Sequence, residues 1–329
     1  MNAVFRLIGT TVALPLCLAT MGSYAGSYPL PDATDIEYPD DEAPSQRQIE
    51  LGKALFFDPR LSENNNRPCS SCHNPDLGFG DGLKLSEGAN GAPLDRHTPS
   101  LYNLAWGSAF MWDGRAMSLE EQVMMPIVAK KEMNLQALEM RNRLIEVPFY
   151  RREFIAVFGD PVLSKDSVAS ALAAYVRSLQ VTDTPFDRYI KGDKHALSAE
   201  AKRGFELFKG KANCTKCHDG AHFTDDSFRS LGIEGDDPGR GAVIGDASLN
   251  HTFKTPGLRN VSLSAPYMHD GSLESLEAVI RFYNEGGGPA KHKDKLVTKL
   301  QLSNSEIADL VAFLGSLTQL EAHARPAQP

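Results

Sequence analysis

The chain of 329 residues is long enough for two ordinary domains with separate hydrophobic cores. Its hydrophobic fraction of 42% is that of a globular protein and excludes an intrinsically disordered chain. The formal net charge of −8 argues against a nucleic-acid partner, because binding to phosphate backbones requires clustered Lys and Arg.

The N-terminal segment is typical of an export signal. Arg6 precedes an apolar run from Leu7 to Met21, and small residues follow around Ala25. We expect a signal peptide over residues 1–25, and therefore a periplasmic protein that has no membrane span after the signal is removed. An uncleaved membrane anchor is the alternative. An N-terminal extension over residues 26–44 is expected to follow the signal.

Serine residues with capping-box spacing predict where several helices begin. Ser45, Ser118 and Ser303 are each followed three residues later by Gln or Glu. Apolar residues at helical spacing predict helices over Asp166–Leu179 and Glu306–Leu317. Gly and Pro punctuate residues 76–99 and 231–256, which we interpret as long loops.

Two Cys-x-x-Cys-His motifs contain all the cysteines outside the predicted signal. They are Cys69-Ser70-Ser71-Cys72-His73 and Cys214-Thr215-Lys216-Cys217-His218. Four cysteines in an exported protein would ordinarily indicate two disulfides. In this spacing, however, two thiols can form thioethers with haem vinyl groups while the following imidazole binds the iron. A zinc site is disfavoured, because the pairs are far apart and each has its own His. The motifs predict two covalently bound c-type haems.

The residues before the two motifs resemble each other. Leu51 to Phe56 precedes the first motif, and Arg203 to Phe208 precedes the second with the same Gly and Phe positions. We therefore predict a mostly α-helical protein with two cytochrome c-like domains, each holding one haem. The predicted domains cover residues 45–185 and 186–329, with the boundary in the polar stretch from Thr182 to Ser198.

The chain resembles the bacterial di-haem cytochrome c peroxidases, and among them the MauG-like branch, over roughly Ser45 to Leu317. Five segments carry this resemblance together with the two haem motifs: Leu55 to Ser62, Thr98 to Asn103, Trp112 to Arg115, Thr255 to Asn260 and Ala265 to Gly271. The resemblance implies that hydrogen peroxide reacts at the haem of the N-terminal domain.

The resemblance also implies a catalytic set above that haem. Gln122, Pro126 and Glu132 match the family's spacing of Gln, Pro and Glu. A carboxyl in an apolar pocket has a raised pKa, so Glu132 could take a proton from one peroxide oxygen and return it to the other. Gln122 would orient the peroxide and Pro126 would keep the pocket narrow. Without the resemblance, Glu132 beside Lys130 and Lys131 would be interpreted as a solvated charge run.

Two further positions follow from the resemblance. Trp112 is expected between the haems, where its indole could relay electrons, whereas from the residues alone an ordinary core Trp is the simpler interpretation. Ala89 stands where classical members carry a removable distal His. We therefore expect the His73 haem to be open without prior reduction, with His97 as the nearest competing ligand.

The second haem, bound by His218, is expected to take its other ligand from the helix that follows Asp270, with Ser272 as its N-cap. The MauG-like branch has a Tyr there, and this chain has Tyr283. A phenolate ligand would lower the reduction potential. The alternatives left open are Met268, His269 and His251, with Tyr283 then packing in the core.

A calcium ion at the domain interface is also implied by the resemblance. Ser264 and Pro266 match the family's backbone ligands, but His97 replaces its Asn. Backbone oxygens and waters could still hold a hard cation there.

Three functions remain open from the sequence. The first is a peroxidase that receives electrons from a small redox protein, either a cytochrome c or a cupredoxin. The second is a MauG-like enzyme that uses peroxide to oxidise Trp or Tyr on a protein substrate. The third is a di-haem electron carrier that is not an enzyme.

Overall fold

The computed structural model describes residues 28–159, 163–321, 323–327 and 329. The predicted signal peptide lies outside these residues. The described chain is dominated by helices, which confirms the predicted mostly α-helical fold. Its α-helices are α1 Gln46–Phe56, α2 Leu119–Val128, α3 Ala137–Glu146, α4 Pro148–Phe158, α5 Lys165–Arg177, α6 Pro185–Ile190, α7 Ala199–Lys209, α8 Arg240–Ile244, α9 Leu276–Asn284 and α10 Asn304–Gly315. Strands β1 Phe228–Arg229 and β2 Phe253–Lys254 pair antiparallel, with Phe228 opposite Lys254.

The three predicted helix starts are confirmed. The side chains of Ser45, Ser118 and Ser303 each accept a hydrogen bond from the backbone N–H three residues later. At Ser303 the carboxylate of Glu306 also accepts from the Ser303 backbone N–H, which completes a capping box.

The predicted N-cap of α9 was wrong. Ser275, not Ser272, caps this helix, and its side chain accepts from the Ala278 N–H. Ser272 lies instead in the loop before the helix, where its N–H donates to Asp270. The bridge between Tyr267 and Leu273 keeps this loop extended and delays the start of the helix.

Regular structure also occurs where the sequence predicted loops or linkers. Helix α6 lies inside the polar stretch predicted to hold the domain boundary, and Thr184 and Asp187 form its capping box. Helix α8 and strand β2 lie inside the long loop predicted over residues 231–256.

Each of the two hydrophobic cores is built on a pair of packed helices. Helices α1 and α5 pack in the first core, which runs from Leu51 to Leu179, and α7 and α10 in the second, from Phe186 to Leu317. A glycine permits the close approach in both pairs. A Cβ added at Gly52 would lie 1.8 Å from the Ala171 carbonyl oxygen, and one at Gly204 would lie 2.0 Å from the Asp309 carbonyl oxygen. The sequence repeat before the haem motifs thus reflects a repeated helix crossing.

The two ends of the described part of the chain pack on opposite domains. Tyr28, the first described residue, contacts the rings of Phe186, Phe205 and Phe223 in the second core. Near the C-terminus, His323 packs edge-on against Phe79 of the first core. Each end thus contacts the domain to which the other end is adjacent in sequence. The predicted domain limits stay a prediction.

Charged side chains join the two domains. Arg96 binds Asp113 at 2.6 Å and Asp237, across the interface, at 2.7 Å. Arg240 donates to the backbone oxygens of Asp113 and Gly114 at 3.1 and 2.6 Å. Within the described part of the chain, no helix is both long enough and apolar enough to span a membrane.

Candidate active site

The first Cys-x-x-Cys-His motif forms a single turn that fixes its imidazole. Cys69–Ser71 is a 3-10 helix, and the backbone N–H of His73 donates to the Cys69 carbonyl at 2.9 Å. The His73 Nδ1 atom lies 2.9 Å from the Phe79 carbonyl oxygen, to which it donates. Burial lowers the pKa of His73, so the imidazole is neutral and its Nε2 lone pair is available to a metal.

The second motif repeats this geometry. Cys214–Lys216 is again a 3-10 helix, and the His218 N–H donates to the Cys214 carbonyl at 2.8 Å. His218 Nδ1 donates to the Phe223 carbonyl oxygen at 2.9 Å, and burial lowers the pKa of His218. Both motifs therefore present a neutral imidazole that is held through Nδ1 by a phenylalanine carbonyl.

No disulfide links the four described cysteines, in agreement with the haem interpretation. Burial raises the pKa of the thiols of Cys69 and Cys214 to about 12. These thiols are therefore protonated in the folded polypeptide.

Both motifs line one continuous cavity of about 990 Å³ between the domains, at the upper end of the range for small-molecule and cofactor sites. All the predicted catalytic and ligand residues border it as well. These residues are Trp112, Gln122, Pro126, Glu132, Ser264, Pro266 and Tyr283.

Glu132 lies at the first motif. It follows α2, with its backbone N–H bound to the Ala129 carbonyl, and its charge acts on the Cys72 thiol. Burial raises the pKa of Glu132, while the Arg115 cation opposes the rise. Lys131 is exposed and pairs with Asp95 at 2.8 Å. Both residues border the cavity, but Glu132 is partly buried whereas the Lys131 side chain is exposed.

Helix α2 positions the other two residues of the predicted catalytic set. Gln122 is buried, and its Nε2 donates only a long contact of 3.7 Å to the Met111 sulfur. Since thioether sulfur is a weak acceptor, this amide can readily donate to another group in the cavity. Pro126 lies inside the helix and borders the same space.

Trp112 is held between the domains by hydrogen bonds at both its indole and its backbone. Its Nε1–H donates to the His97 carbonyl at 2.8 Å, and its own carbonyl accepts from Lys254 of β2 at 2.8 Å. Its ring lies edge-on to His269 of the second domain, with centroids 6.5 Å apart. The indole is therefore fixed in the wall of the shared cavity.

Tyr283 lies at the second motif, on α9. Burial raises the pKa of its phenol well above the usual range, and the neighbouring Cys214 and Cys217 raise it further. Its hydroxyl makes no hydrogen bond to any described residue, so it is free to bind a group in the cavity. Met268, His269 and His251 also border the cavity, and Tyr283 as a ligand stays a prediction.

The loop that carries Ala89 packs beside Glu132. The Ala89 N–H donates to the Lys131 carbonyl at 2.9 Å, and Ala89 and Glu132 border one small cleft. His97 is buried at the domain interface, where its Nδ1 donates to the Leu83 carbonyl at 3.0 Å. An open face at the first motif stays a prediction.

Calcium likewise stays a prediction. Ser264 and Pro266 border the cavity, with His97 also lining it. Among the described residues there is no cluster of three or more His, Cys, Asp or Glu that could hold a metal ion. A cation at this place would depend on backbone oxygens and waters.

Comparisons with known proteins agree with this site. A family model described as di-haem cytochrome c peroxidase matches residues 46–195, and one described as cytochrome c matches residues 201–318. The methylamine utilization protein MauG of Methylorubrum extorquens is 46% identical over 86% of this chain and 81% of that protein. The chain belongs to the di-haem cytochrome c peroxidase family. It is an oxidoreductase of the haem peroxidase type.

Other relatives of this di-haem peroxidase are named either as cytochrome peroxidases or as MauG-like proteins. The cytochrome c551 peroxidase of Pseudomonas aeruginosa is 35% identical over 83% of this chain and 79% of its own length. A solved structure described as a MauG-like protein associated with microbial copper homeostasis is 32% identical. It superposes with a TM-score of 0.82 and covers 89% of this chain and 96% of that one.

The cavity of the di-haem peroxidase fits covalently bound haem. It brings together the thiols and the imidazole of each motif, and its walls are mostly apolar. Haem c is therefore the cofactor of both motifs.

Arg115 and Tyr102 also border the cavity but were not among the predicted site residues. Both lie in segments that carried the family resemblance, so the sequence marked their positions without indicating their roles. The positive charge of Arg115 lowers the pKa of Glu132. The Tyr102 hydroxyl lies 3.0 Å from Nε2 of His323, which is 221 positions away in the sequence.

Proposed function

We propose that this protein is a periplasmic peroxidase that reduces hydrogen peroxide with electrons from a small redox protein, a cytochrome c or a cupredoxin. One observation supports this most directly. The two motifs share a cavity but have different partners: the Glu132 carboxyl acts on Cys72 of the first, and the Tyr283 phenol interacts with Cys214 and Cys217 of the second. A proton-transfer group therefore serves the first site and a potential sixth ligand serves the second.

At the first site, His73 would hold the haem through Nε2, and the bound haem supplies the redox chemistry that splits the oxygen–oxygen bond. Glu132 takes the proton from the inner peroxide oxygen and delivers it to the outer oxygen, which leaves as water. The raised pKa of this carboxyl suits it for both steps. Gln122 turns its amide from Met111 to donate to the peroxide, and Pro126 narrows the space.

At the second site, His218 and Tyr283 would hold the other haem. Burial keeps the Tyr283 phenol protonated in the polypeptide alone. A metal cation can displace such a proton, as it does from a coordinating thiol. Trp112, fixed by His97 and Lys254, would conduct electrons between the two sites. Backbone oxygens of Ser264 and Pro266 would hold a calcium ion near this interface.

The second candidate function is the peroxide-dependent oxidation of Trp or Tyr residues on a partner protein. Two positions favour it, Tyr283 and Ala89, because they are the features by which this chain resembles the MauG-like branch. The relative from Methylorubrum extorquens is named a methylamine utilization protein. The substrate of this chain is not implied by that name.

Electron paramagnetic resonance of the ferric protein, before and after one equivalent of peroxide, tests the proposal. We expect one high-spin and one low-spin signal, both of which change with peroxide. Two low-spin signals that do not respond to peroxide would show a di-haem electron carrier and overturn both enzymatic functions. Steady turnover with reduced cytochrome c or a reduced cupredoxin, compared with oxidation of a candidate protein substrate, distinguishes the two enzymes.

A further inference from the structure

A tyrosine–histidine pair connects the cavity to the C-terminal tail of the chain. Tyr102 borders the cavity, and its hydroxyl lies 3.0 Å from Nε2 of His323. The two residues are 221 positions apart, so only the folded tail brings them together. None of the steps of the proposed function uses either residue.

The pair lies directly behind the first haem motif. The rings of Tyr102 and His323 each lie edge-on to Phe79, with centroids 5.1 Å apart in both cases. The Phe79 carbonyl accepts the Nδ1–H of His73. Phe79 therefore connects Tyr102 in space with His73, the predicted ligand of the first haem.

The tail that carries His323 is anchored beside this motif. Arg325 pairs with Asp76 at 2.8 Å and donates to Asn74 at 3.1 Å. Farther on, the Pro329 carbonyl accepts from Arg60 at 2.9 Å. These contacts hold the imidazole against the Tyr102 hydroxyl.

We propose that Tyr102 is a redox-active residue that stores one oxidising equivalent from peroxide, with His323 as its proton acceptor. This inference rests on the proposed reaction of peroxide at the His73 haem. Tyr102 gives one electron to the peroxide-oxidised centre, its O–H bond breaks, and the proton passes to Nε2 of His323. A neutral tyrosyl radical and an imidazolium result. An incoming electron and the returned proton restore the phenol.

The protonation states of the pair suit this step. Burial raises the pKa of Tyr102 to about 12, so the residue is a neutral phenol that must lose a proton on oxidation. Burial lowers the pKa of His323, so its imidazole is neutral and can accept that proton. A hydrogen bond of 3.0 Å already joins donor and acceptor.

Tyr175 provides a matched control in the same core. Its ring lies 5.1 Å from that of Phe56, and it is buried, as Tyr102 is in part. Its hydroxyl has no hydrogen-bond partner among the described residues, and it does not border the cavity. Tyr175 therefore lacks a base for proton-coupled oxidation.

The test is electron paramagnetic resonance of the full holoprotein, frozen at set times after one equivalent of peroxide, while peroxide consumption is followed in parallel. We expect a tyrosyl signal that narrows when the protein is grown on ring-deuterated tyrosine. Tyr102→Phe should remove the signal, and Tyr175→Phe should retain it. His323→Gln keeps an acceptor oxygen but cannot carry the proton, so radical formation should slow by about 100-fold.

Three other outcomes would each contradict a part of this proposal. A tyrosyl signal that persists in Tyr102→Phe while peroxide is consumed overturns the role of Tyr102 and leaves the proposed function intact. Normal radical formation in His323→Gln overturns the role of the tail as base. Wild-type holoprotein that does not consume peroxide overturns both this inference and the proposed function.

Discussion

The backbone around His73 and the backbone around His218 are built alike. Each imidazole donates through Nδ1 to the carbonyl of a phenylalanine, at 2.9 Å in both motifs. Both phenylalanines, Phe79 and Phe223, are fully buried, with φ angles of 59° and 57°. The residues predicted to complete the two sites differ: the Glu132 carboxyl and the Gln122 amide at the first, and the Tyr283 phenol at the second. In the proposed function, the two motifs hold their haems in the same way, and these differing side chains give the haems different roles.

Tyr283→Phe tests the difference most sharply. If the phenolate binds the second haem, its removal should abolish the original low-spin signal and leave the high-spin signal of the His73 haem unchanged. Electron paramagnetic resonance of the ferric protein measures this. Tyr267→Phe is the control, because Tyr267 also borders the cavity but its hydroxyl donates to the Val261 carbonyl. An unchanged low-spin signal in Tyr283→Phe would remove Tyr283 as a ligand.

Glu132→Gln tests the other side of the comparison. The amide cannot move a proton between the peroxide oxygens, so peroxide decay should slow by about 100- to 10 000-fold while both haems remain attached. Stopped-flow measurement of peroxide consumption provides the rate. Glu146→Gln, at the exposed end of α3, should react as the wild type does. Wild-type kinetics in Glu132→Gln would refute its acid–base role.

Arg259→Leu tests how strongly the stability of the second core depends on the cation beside its buried carboxylate. Arg259 binds Asp187 through two contacts of 2.9 Å, and both side chains are almost fully buried. Leaving the Asp187 carboxylate without its cation should lower the free energy of unfolding by about 3–5 kcal/mol. Urea unfolding followed by far-UV circular dichroism measures the change.

Arg60→Leu in the first core provides the comparison for this variant. Asp58 is equally buried and, like Asp187, also accepts from a hydroxyl, that of Tyr150 at 2.6 Å. The arginines differ, because the side chain of Arg60 is 32% exposed and that of Arg259 is 1% exposed. Solvent screens the part-exposed pair, so the cost should be smaller than for Arg259→Leu. Equal losses in the two variants would show that the two carboxylates depend on their arginines to the same extent.

Gly52→Ala and Gly204→Ala test what the cores have in common. An added methyl group collides with a backbone carbonyl of the partner helix in both, so each variant should lose about 1–3 kcal/mol of unfolding free energy. Gly315, on α10, has no atom within 4 Å of an added Cβ. Gly315→Ala should instead gain roughly 0.5–1 kcal/mol. A loss in only one of the first two variants would contradict an equivalent crossing.

The smallest expected effect concerns the pH dependence of the first site. In the proposed function, peroxide decay requires deprotonated Glu132, whose pKa burial raises and Arg115 lowers. The rate should therefore fall on acidification, and Arg115→Gln should move the half-maximal rate to higher pH, because the cation that opposes the rise in pKa is removed. Arg152→Gln, on the exposed face of α4, should not shift the profile. A shift to lower pH would contradict the argument.

The elements that could be predicted from the sequence are those specified by short-range signals. Ser45, Ser118 and Ser303 cap their helices because each hydroxyl oxygen accepts from the backbone N–H three residues later, a contact that depends only on the local chain. The motif spacing likewise predicts the haem ligands. Ser272 shows the limit: a good capping residue is not used where the preceding chain pairs across a turn.

Long-range contacts could not be predicted, because the residues near each position in the sequence do not indicate which distant residue it meets. The tail beyond Leu317 has no helical periodicity, and its contact between His323 and Tyr102 depends on the relative placement of both domains. The same holds for Arg115, whose influence on Glu132 arises only where the cavity closes. The family resemblance located these segments without indicating which partners they meet.

The buried thiols have a consequence for the biogenesis of this protein. Thioether formation requires a reactive thiolate, yet in the folded chain the pKa of Cys69 and of Cys214 is about 12. We therefore expect haem to be attached more readily to the open polypeptide than to the folded one. Recombinant production should succeed only where haem supply and ligation keep pace with synthesis, and haem added to folded apoprotein should stay unattached.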